Sequence, residues 1–171
     1  MSAPTEQQLA ALAALERRID ALESRESIEA LHAHFVRAVA DRQFSDLASY
    51  FTPDATIDMR THGPKSGTAE IAAHFEHMVT VPLVGAGYIL TSPEISVSGD
   101  SAIGIWTWHR LHSSAEIAGQ PVRVWGVWEE GRYDCHYARV DGTWKFSYLR
   151  FRVVRPDADP AGTPFPEGGP S

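Results

Sequence analysis

The sequence predicts an α+β fold, in which a strongly curved antiparallel sheet forms a cone-shaped barrel and helices near the N-terminus close it. Three observations predict this class. Apolar residues recur at helical spacing before residue 44, period-two alternation dominates after residue 88, and glycines interrupt otherwise continuous strands. Helices followed by an antiparallel meander are typical of helices gathered on one face of a sheet. Such a sheet encloses a cavity suited to a small molecule.

The composition fits one domain and excludes several classes of partner. The chain has 171 residues, 43% of them hydrophobic, which is enough for a single core. Its formal charge is −7 and no cluster of Lys or Arg occurs, so we expect no nucleic acid and no membrane partner. The absence of a signal-peptide pattern and of a long apolar run predicts a cytoplasmic protein. Cys135 is the single cysteine, which excludes an internal disulfide and a cysteine-based zinc cluster.

The first 43 residues predict helix. Thr5 and Gln8 form a capping box at its start. Four apolar residues then recur at heptad-like spacing: Leu12, Leu15, Ile19 and Leu22. This seam is too short for a sustained coiled coil and predicts a packing or dimer contact. Ser24 resembles a second N-cap, so we expect a break there, with residues 1–23 as a helical extension and 24–155 as the domain.

The remaining elements follow from local signals. A short helix at 44–51, a strand at 55–61 and a helix capped by Thr68 precede the strands. Turns are expected at Gly99-Asp100 and at 118–121, and a tight hairpin at Asp141-Gly142. Residues 156–171 are a Pro/Gly-rich tail without a core signal.

The stretch "GIWTWHRLH" contains two histidines that strand geometry separates. Side chains alternate along a strand, so Trp106, Trp108 and Arg110 share one face while His109 lies on the other. His109 and His112 are three residues apart and therefore face opposite ways. A metal site built from this pair is not expected.

Several segments together are similar to a known family. They are "SRESIEALHAHFVRAVADRQFSDLASYFTPDATI", "GTAEIAAHF", "TSPEISVSGDSAIG" and "GRYDCHYARVDGTWKFSYLRF". The chain over residues 24–153 resembles the SnoaL-like branch of the nuclear transport factor 2-like superfamily, which includes polyketide cyclases, scytalone dehydratase, bile-acid 7α-dehydratase and hexachlorocyclohexane dehydrochlorinase. The resemblance implies an α+β barrel without metal or cofactor, assembled as a homodimer or homotrimer.

The resemblance also implies catalytic residues that this sequence lacks. The dehydratases of the branch use an Asp–His pair preceded by a Tyr on the helix. Here the Tyr position is Phe35, the Asp position is Ala40, and the His position falls on Gly87 or Tyr88. Asp41 would replace the carboxylate only if the helix end is distorted. A strand bulge that flips the register would bring His109 or His136 inward as the missing base.

The same alignment assigns a largely aromatic set of residues to the cavity. The expected substrate-binding residues are Phe35, Tyr88, Trp106, Trp108, Trp125, Cys135, Leu149 and Phe151. The expected catalytic residues are Glu129, Arg110 and Tyr133. Burial would raise the pKa of Glu129 and make it a general acid or base, while Arg110 and Tyr133 stabilise negative charge. Alternatively, Arg110 and Glu129 form a structural ion pair, and the tryptophans form plain core or a subunit interface.

These features predict a cofactor-independent cyclase, dehydratase or isomerase acting on a hydrophobic polyketide-, steroid- or terpenoid-like molecule. The alternative is a non-catalytic binding or accessory protein on the same fold, because the Asp–His pair is absent.

Overall fold

The computed structural model describes residues 5–59, 63–78, 88–112, 115–117, 120–122 and 127–153. Helices α1 (Glu6–Ala40) and α2 (Gly67–Met78) flank a 3₁₀ helix, Phe44–Tyr50. The strands in chain order are β1 (Phe51–Met59), β2 (Pro64–Ser66), β3 (Tyr88–Ser98), β4 (Ser101–His112), β5 (Ala115–Ile117), β6 (Gln120–Val122), β7 (Val127–Val140) and β8 (Thr143–Val153).

Six of the strands form one curved, unclosed sheet in the order β2-β1-β8-β7-β4-β3, and β5 pairs with β6. The α+β prediction is confirmed. The sheet is mixed rather than wholly antiparallel, because β1 runs parallel to β8 while every other pair in it is antiparallel. Helix α1 packs on β3 and β8, and α2 packs on β1 and the 3₁₀ helix.

Helix α1 begins at the predicted capping box, where the Gln8 N–H donates to Thr5 Oγ1. The predicted break at Ser24 is wrong, since the helix is continuous over 35 residues. Ser24 lies inside this helix, and its Oγ accepts a 2.8 Å hydrogen bond from Arg139, whose guanidinium also binds Asp20 at 2.9 Å. Ser27 donates its hydroxyl back to the Glu23 carbonyl within the helix. No described helix is long and apolar enough to cross a membrane.

Two turns were predicted correctly and one cap was not. Residues 99–100 and 141–142 form turns, and Asp141 and Gly142 both have positive φ, as a type I′ hairpin requires. Helix α2 begins at Gly67, one residue before the expected cap, and Thr68 donates to the Pro53 carbonyl. The turn expected at 118–121 lies partly outside the described residues.

The sheet has a buried inner face and a more exposed outer face. Along β4, Ala102, Trp106 and Trp108 are buried while Ile103 and Ile105 are exposed. The alternation of faces inferred from "GIWTWHRLH" is therefore confirmed for these residues. In β8 a register shift near Ser147 keeps residues on either side of it facing the core.

Gly131 allows the closest approach on the inner face. It lies opposite Trp108 on β4 and Val153 on β8. A Cβ atom here would collide with the Trp108 indole and with the Arg152 carbonyl oxygen. The glycine thus makes room for an indole that stacks on Phe151, with ring centroids 4.8 Å apart.

We expect Gly131→Ala to lower the free energy of unfolding by about 1–3 kcal/mol, because the added methyl has no space and the obstructing carbonyl belongs to the backbone. Urea denaturation followed by tryptophan fluorescence measures the change. The control is the adjacent exposed residue, Glu130→Ala, which we expect to change stability by less than about 0.5 kcal/mol. Equal stability of Gly131→Ala and the wild-type protein would contradict the close approach.

Candidate functional site

The inner face of β4, β7 and β8 is a ladder of opposed residues. From one end it runs through Ala102–Tyr137–Phe146, Gly104–Cys135–Leu149, Trp106–Tyr133–Phe151 and Trp108–Gly131–Val153. The next step pairs Arg110 with Glu129, and Tyr88 on β3 lies opposite Arg110. Opposite Trp106, β3 bulges at Ser92, which has a φ of 49°. The sheet therefore carries an aromatic floor with charged residues at one end.

His32 reaches the middle of this floor from α1. It is fully buried, because Ile28 one turn before and Val36 one turn after lie on the same helix face and are buried too. Its ring lies 4.4 Å from Trp106 and 4.9 Å from Tyr133, measured between centroids. The imidazole is thus enclosed by aromatic rings of the helix and the sheet.

A short hydrogen-bond chain fixes His32. Trp106 Nε1 donates to the Tyr137 hydroxyl at 2.9 Å, and that hydroxyl lies 3.0 Å from His32 Nδ1. The three side chains come from a helix and two adjacent strands. Desolvation lowers the pKa of His32 from 6.5 to about 3, so the imidazole is neutral at physiological pH.

The other ring nitrogen, Nε2, is buried without a hydrogen-bond partner among the described residues. If the tyrosine hydroxyl donates to Nδ1, Nε2 carries the proton and is a donor; if Nδ1 donates, Nε2 is an acceptor. In either state His32 is a neutral polar group inside an apolar cluster. Such a group can take part in a hydrogen bond as donor or acceptor, whereas its low pKa makes it a weak base.

Cys135 is not suited to nucleophilic catalysis. It is 2% exposed, and burial raises the pKa of its thiol well above the ordinary value. Its sulfur lies 4.0 Å from His32 Nδ1. A thiol held protonated in this way is a poor nucleophile and packs as a small apolar group.

The predicted substrate-binding residues fall into two groups. Most lie in the aromatic floor, where all but the half-buried Phe151 are buried: Trp106, Trp108, Cys135, Leu149 and Phe151. Phe35 is buried on α1 and packs on Phe146 of the floor, with ring centroids 5.2 Å apart. Of the others, Tyr88 lies on β3, and Trp125 lies outside the described residues. Their assignment to ligand binding stays a prediction.

The predicted catalytic residues lie at different positions along β4 and β7. Tyr133 is 3% exposed and belongs to the floor, at an edge-to-face angle to His32. Arg110 and Glu129 lie directly opposite each other on β4 and β7, as the sequence predicts for neighbours. At about 3.3 Å per residue, they are about 7 Å beyond Trp108 and Gly131 along the strands.

The alternative bases do not enter the interior. The β4–β7 register is continuous from Ser101 to His112, so no bulge in that pair turns His109 or His136 inward. His109 lies opposite Glu130, and His136 lies opposite Ile103. Asp41 is the exposed C-cap of α1. Within the described ranges, no three His, Cys, Asp or Glu residues cluster as a metal site.

The sequence profile of the SnoaL-like domain matches residues 20–150. The chain belongs to the SnoaL-like domain family. This confirms the resemblance on which the cavity assignments were based. No curated protein is a significant match to the sequence.

Solved structures share the fold of this SnoaL-like protein. A protein of unknown function from Mycobacterium tuberculosis is 20% identical, with a TM-score of 0.66 and 82% of each chain covered. A hexachlorocyclohexane dehydrochlorinase from Novosphingobium barchaimii is 24% identical, with a TM-score of 0.63 over 78% of this chain and 88% of that one. A candidate scytalone dehydratase from Novosphingobium aromaticivorans is 18% identical, with a TM-score of 0.63 over 78% and 86%. At these identities the likeness shows the fold alone.

Sequence reasoning missed His32. His34, two positions further along α1, is exposed, so the two histidines do not share a helix face. The usable signal was the spacing of four residues from Ile28 and from Val36, which places His32 within the apolar stripe. A histidine within such a stripe needs a polar partner from elsewhere, and the sequence does not show which one.

We expect the stability of the protein to depend on His32 between pH 6.5 and pH 3. The unfolded chain binds a proton at His32 below about pH 6.5, whereas the folded chain does not until about pH 3. The stabilisation is therefore complete well above pH 6.5, and about 2.7 kcal/mol of it is lost by about pH 4.5.

Urea denaturation of the wild-type protein and of His32→Leu at both ends of this range measures the effect. The pH dependence should shrink in His32→Leu and persist in the control His136→Leu, an exposed residue on the outer face. In the wild-type protein, NMR should show an imidazole that does not titrate until far below pH 6. A ring that titrates near pH 6.5 would refute the buried assignment.

We expect Tyr137→Phe to destabilise the fold by about 1–3 kcal/mol, because it leaves Trp106 Nε1 and His32 Nδ1 buried without their shared partner. Tyr148→Phe is the matched control, since Tyr148 is only partly buried. Thermal and urea unfolding of both variants test this, and equal losses in the two would contradict the network.

Proposed function

We propose that this SnoaL-like protein is a cofactor-independent enzyme that cyclises or isomerises a hydrophobic, flat or polycyclic molecule with a ketone or phenol group. The observation that carries the proposal is the opposition of Tyr88, Arg110 and Glu129 across three strands, one step beyond the aromatic floor. A phenol, a guanidinium and a carboxylate at adjoining positions provide the groups for proton transfer and for charge stabilisation.

The aromatic floor supports an apolar, planar ligand. The Trp108 indole and the Phe151 ring are stacked at an interplanar angle of 8°, and Tyr133 packs 5.3 Å from Phe151. Flat rings bind best against aromatic surfaces, because both apolar area and quadrupole geometry match. The ligand in this proposal lies between this floor and the charged end of the sheet.

The proposed chemistry needs no external reactant. The Glu129 carboxylate takes a proton from the carbon next to a ketone, and the electron pair of that C–H bond forms an enolate that Arg110 stabilises. If the ketone carries a β,γ double bond, the enolate is a dienolate, and returning the proton from Glu129 to its γ-carbon shifts the double bond and gives the conjugated isomer. Alternatively, the enolate carbon forms a bond to a second carbonyl of the same molecule, and the new alkoxide takes the proton, which gives a ring.

The proposed position of these groups on the sheet is compatible with the absence of the family's Asp–His pair from this sequence. Ala40 has no carboxylate, and the carboxylate of Asp41 is exposed at the end of α1. Placing the acid–base group on β7 and the cation on β4 moves the chemistry from the helix to the sheet. A ring closure suits this arrangement, because holding a folded reactive conformer lowers much of the barrier.

A non-catalytic ligand-binding protein is the second candidate. The observation that favours it is the dense packing of the floor, where Trp106, Trp108 and Tyr133 are each no more than 5% exposed. In this alternative, Arg110 and Glu129 form a structural ion pair and the ligand binds without reacting.

Binding and turnover of defined probes distinguish the two candidates. Bicyclic ketones, naphthols and a 3-ketosteroid are screened by thermal shift, and the products of stabilising compounds are then followed by chromatography and mass spectrometry. Glu129→Gln should keep binding and lower turnover about 10²–10⁴-fold. Glu130→Gln, the exposed neighbour on the opposite face, is the matched control and should leave both unchanged.

Three outcomes decide the proposal. Turnover that requires Glu129 but not Glu130 supports the enzyme. Binding without turnover in the wild-type protein supports the binding protein instead. Absence of both binding and turnover with all three probe classes would refute an aromatic ligand site.

A further inference from the structure

The N-terminal half of α1 carries an exposed apolar seam. Leu12, Leu15, Ile19 and Leu22 are between 51% and 67% exposed. Their spacings of three, four and three residues place them at the a and d positions of two heptads. Single exposed leucines are ordinary, but a continuous stripe of four on one helix marks an interaction surface.

This chain's own domain lies on the other side of the helix. Asp20 and Ser24 face the sheet, since both bind Arg139 of β7. At about 100° per residue, Leu22 lies about 160° and Ile19 about 140° around the helix from Ser24. The seam therefore faces away from the sheet that anchors α1, and a partner can approach it without displacing the domain.

The charges beside the seam identify the partner and its direction. With Leu12 and Ile19 at a, the e positions hold Glu16 and Glu23, and the g position between them holds Arg18. In a parallel pair of identical helices, a g residue faces the e residue five positions later in the partner. Arg18 of each chain thus faces Glu23 of the other, twice by symmetry.

An antiparallel pair lacks this match. There g faces g and e faces e, so Arg18 meets arginine and the glutamates meet glutamates. Arg25, the next g residue, is already paired with Glu29 of its own helix at 2.9 Å. Ile19 at an a position, with Leu15 and Leu22 at d, also fits two parallel strands.

We infer that the residue 6–23 segment of α1 pairs with the same segment of a second copy of this chain in a short, parallel, two-heptad dimer contact of the coiled-coil type, which leaves the two domains on its outer sides. This interaction is independent of the proposed reaction. The Arg18–Glu23 pairs set the direction, and the four seam residues provide the apolar contact.

Charge reversal tests both the interface and its direction. Sedimentation equilibrium of the full chain should give a mass of twice 18.8 kDa in the wild-type protein. Arg18→Glu alone and Glu23→Arg alone should each weaken the dimer about tenfold, because two attractions become two repulsions. An equimolar mixture of the two variants should restore dimers, since both cross-pairs are again attractive.

Arg17→Glu is the matched control. It makes the same change of charge at an exposed f position and should leave the dimer unchanged. Leu22→Cys gives an independent readout of direction, because equal d positions meet only in a parallel pair. Under oxidising conditions it should form a covalent dimer, with the native Cys135 buried and unreactive.

Three outcomes would overturn the inference. A wild-type monomer at every concentration removes the interface. Association of Arg18→Glu with the wild-type chain that is tighter than either self-association indicates antiparallel helices, in which residue 18 faces residue 18. A dimer insensitive to Arg18→Glu and Glu23→Arg indicates another surface, such as the exposed isoleucines Ile89, Ile103 and Ile105 of the outer sheet face.

Discussion

The contact between His32 and Tyr137 determines how the long helix and the sheet fit together. These residues are 105 positions apart, and each carries a polar atom into an apolar core. Burying either one alone leaves a hydrogen-bonding group unsatisfied, so the rotation of α1 and the position of β7 depend on each other. Trp106 adds the same constraint from β4, because its indole N–H binds the same hydroxyl. The polar chain thus favours one packing among the many that apolar contacts would allow.

Local patterns predicted much of this fold, and long-range partners account for what they missed. The capping box at Thr5 and the hairpin at Asp141 depend on neighbouring residues and were correct. The faces of Trp106 and Tyr133 follow from strand alternation. The break at Ser24 was wrong because its hydroxyl pairs with Arg139, far along the chain. The parallel pairing of β1 with β8 has no local signal at all.

In the candidate site, too, local patterns predicted some positions and long-range partners decide the others. Strand alternation placed Arg110 and Glu129 as neighbours, and their register confirms that position. Their catalytic role depends on a ligand, which no pattern in one sequence reveals. His32 was missed because a histidine among apolar residues is defined by its distant partners. The fold is shared with a hexachlorocyclohexane dehydrochlorinase and other solved structures, whereas the groups that we propose for the chemistry lie on β4 and β7.

The continuity of α1 has a consequence for the kinetics of assembly. Isolated helices of fewer than about 15 residues are marginal in water, since the first turn is costly to nucleate. Here residues 24–40 are held by the core, so the helix only has to propagate toward its N-terminus. The residue 6–23 segment of α1 is therefore helical before it contacts a second chain, so association need not spend free energy on folding it. Its rate of association with a second copy should be that of a preformed helix rather than that of a disordered segment.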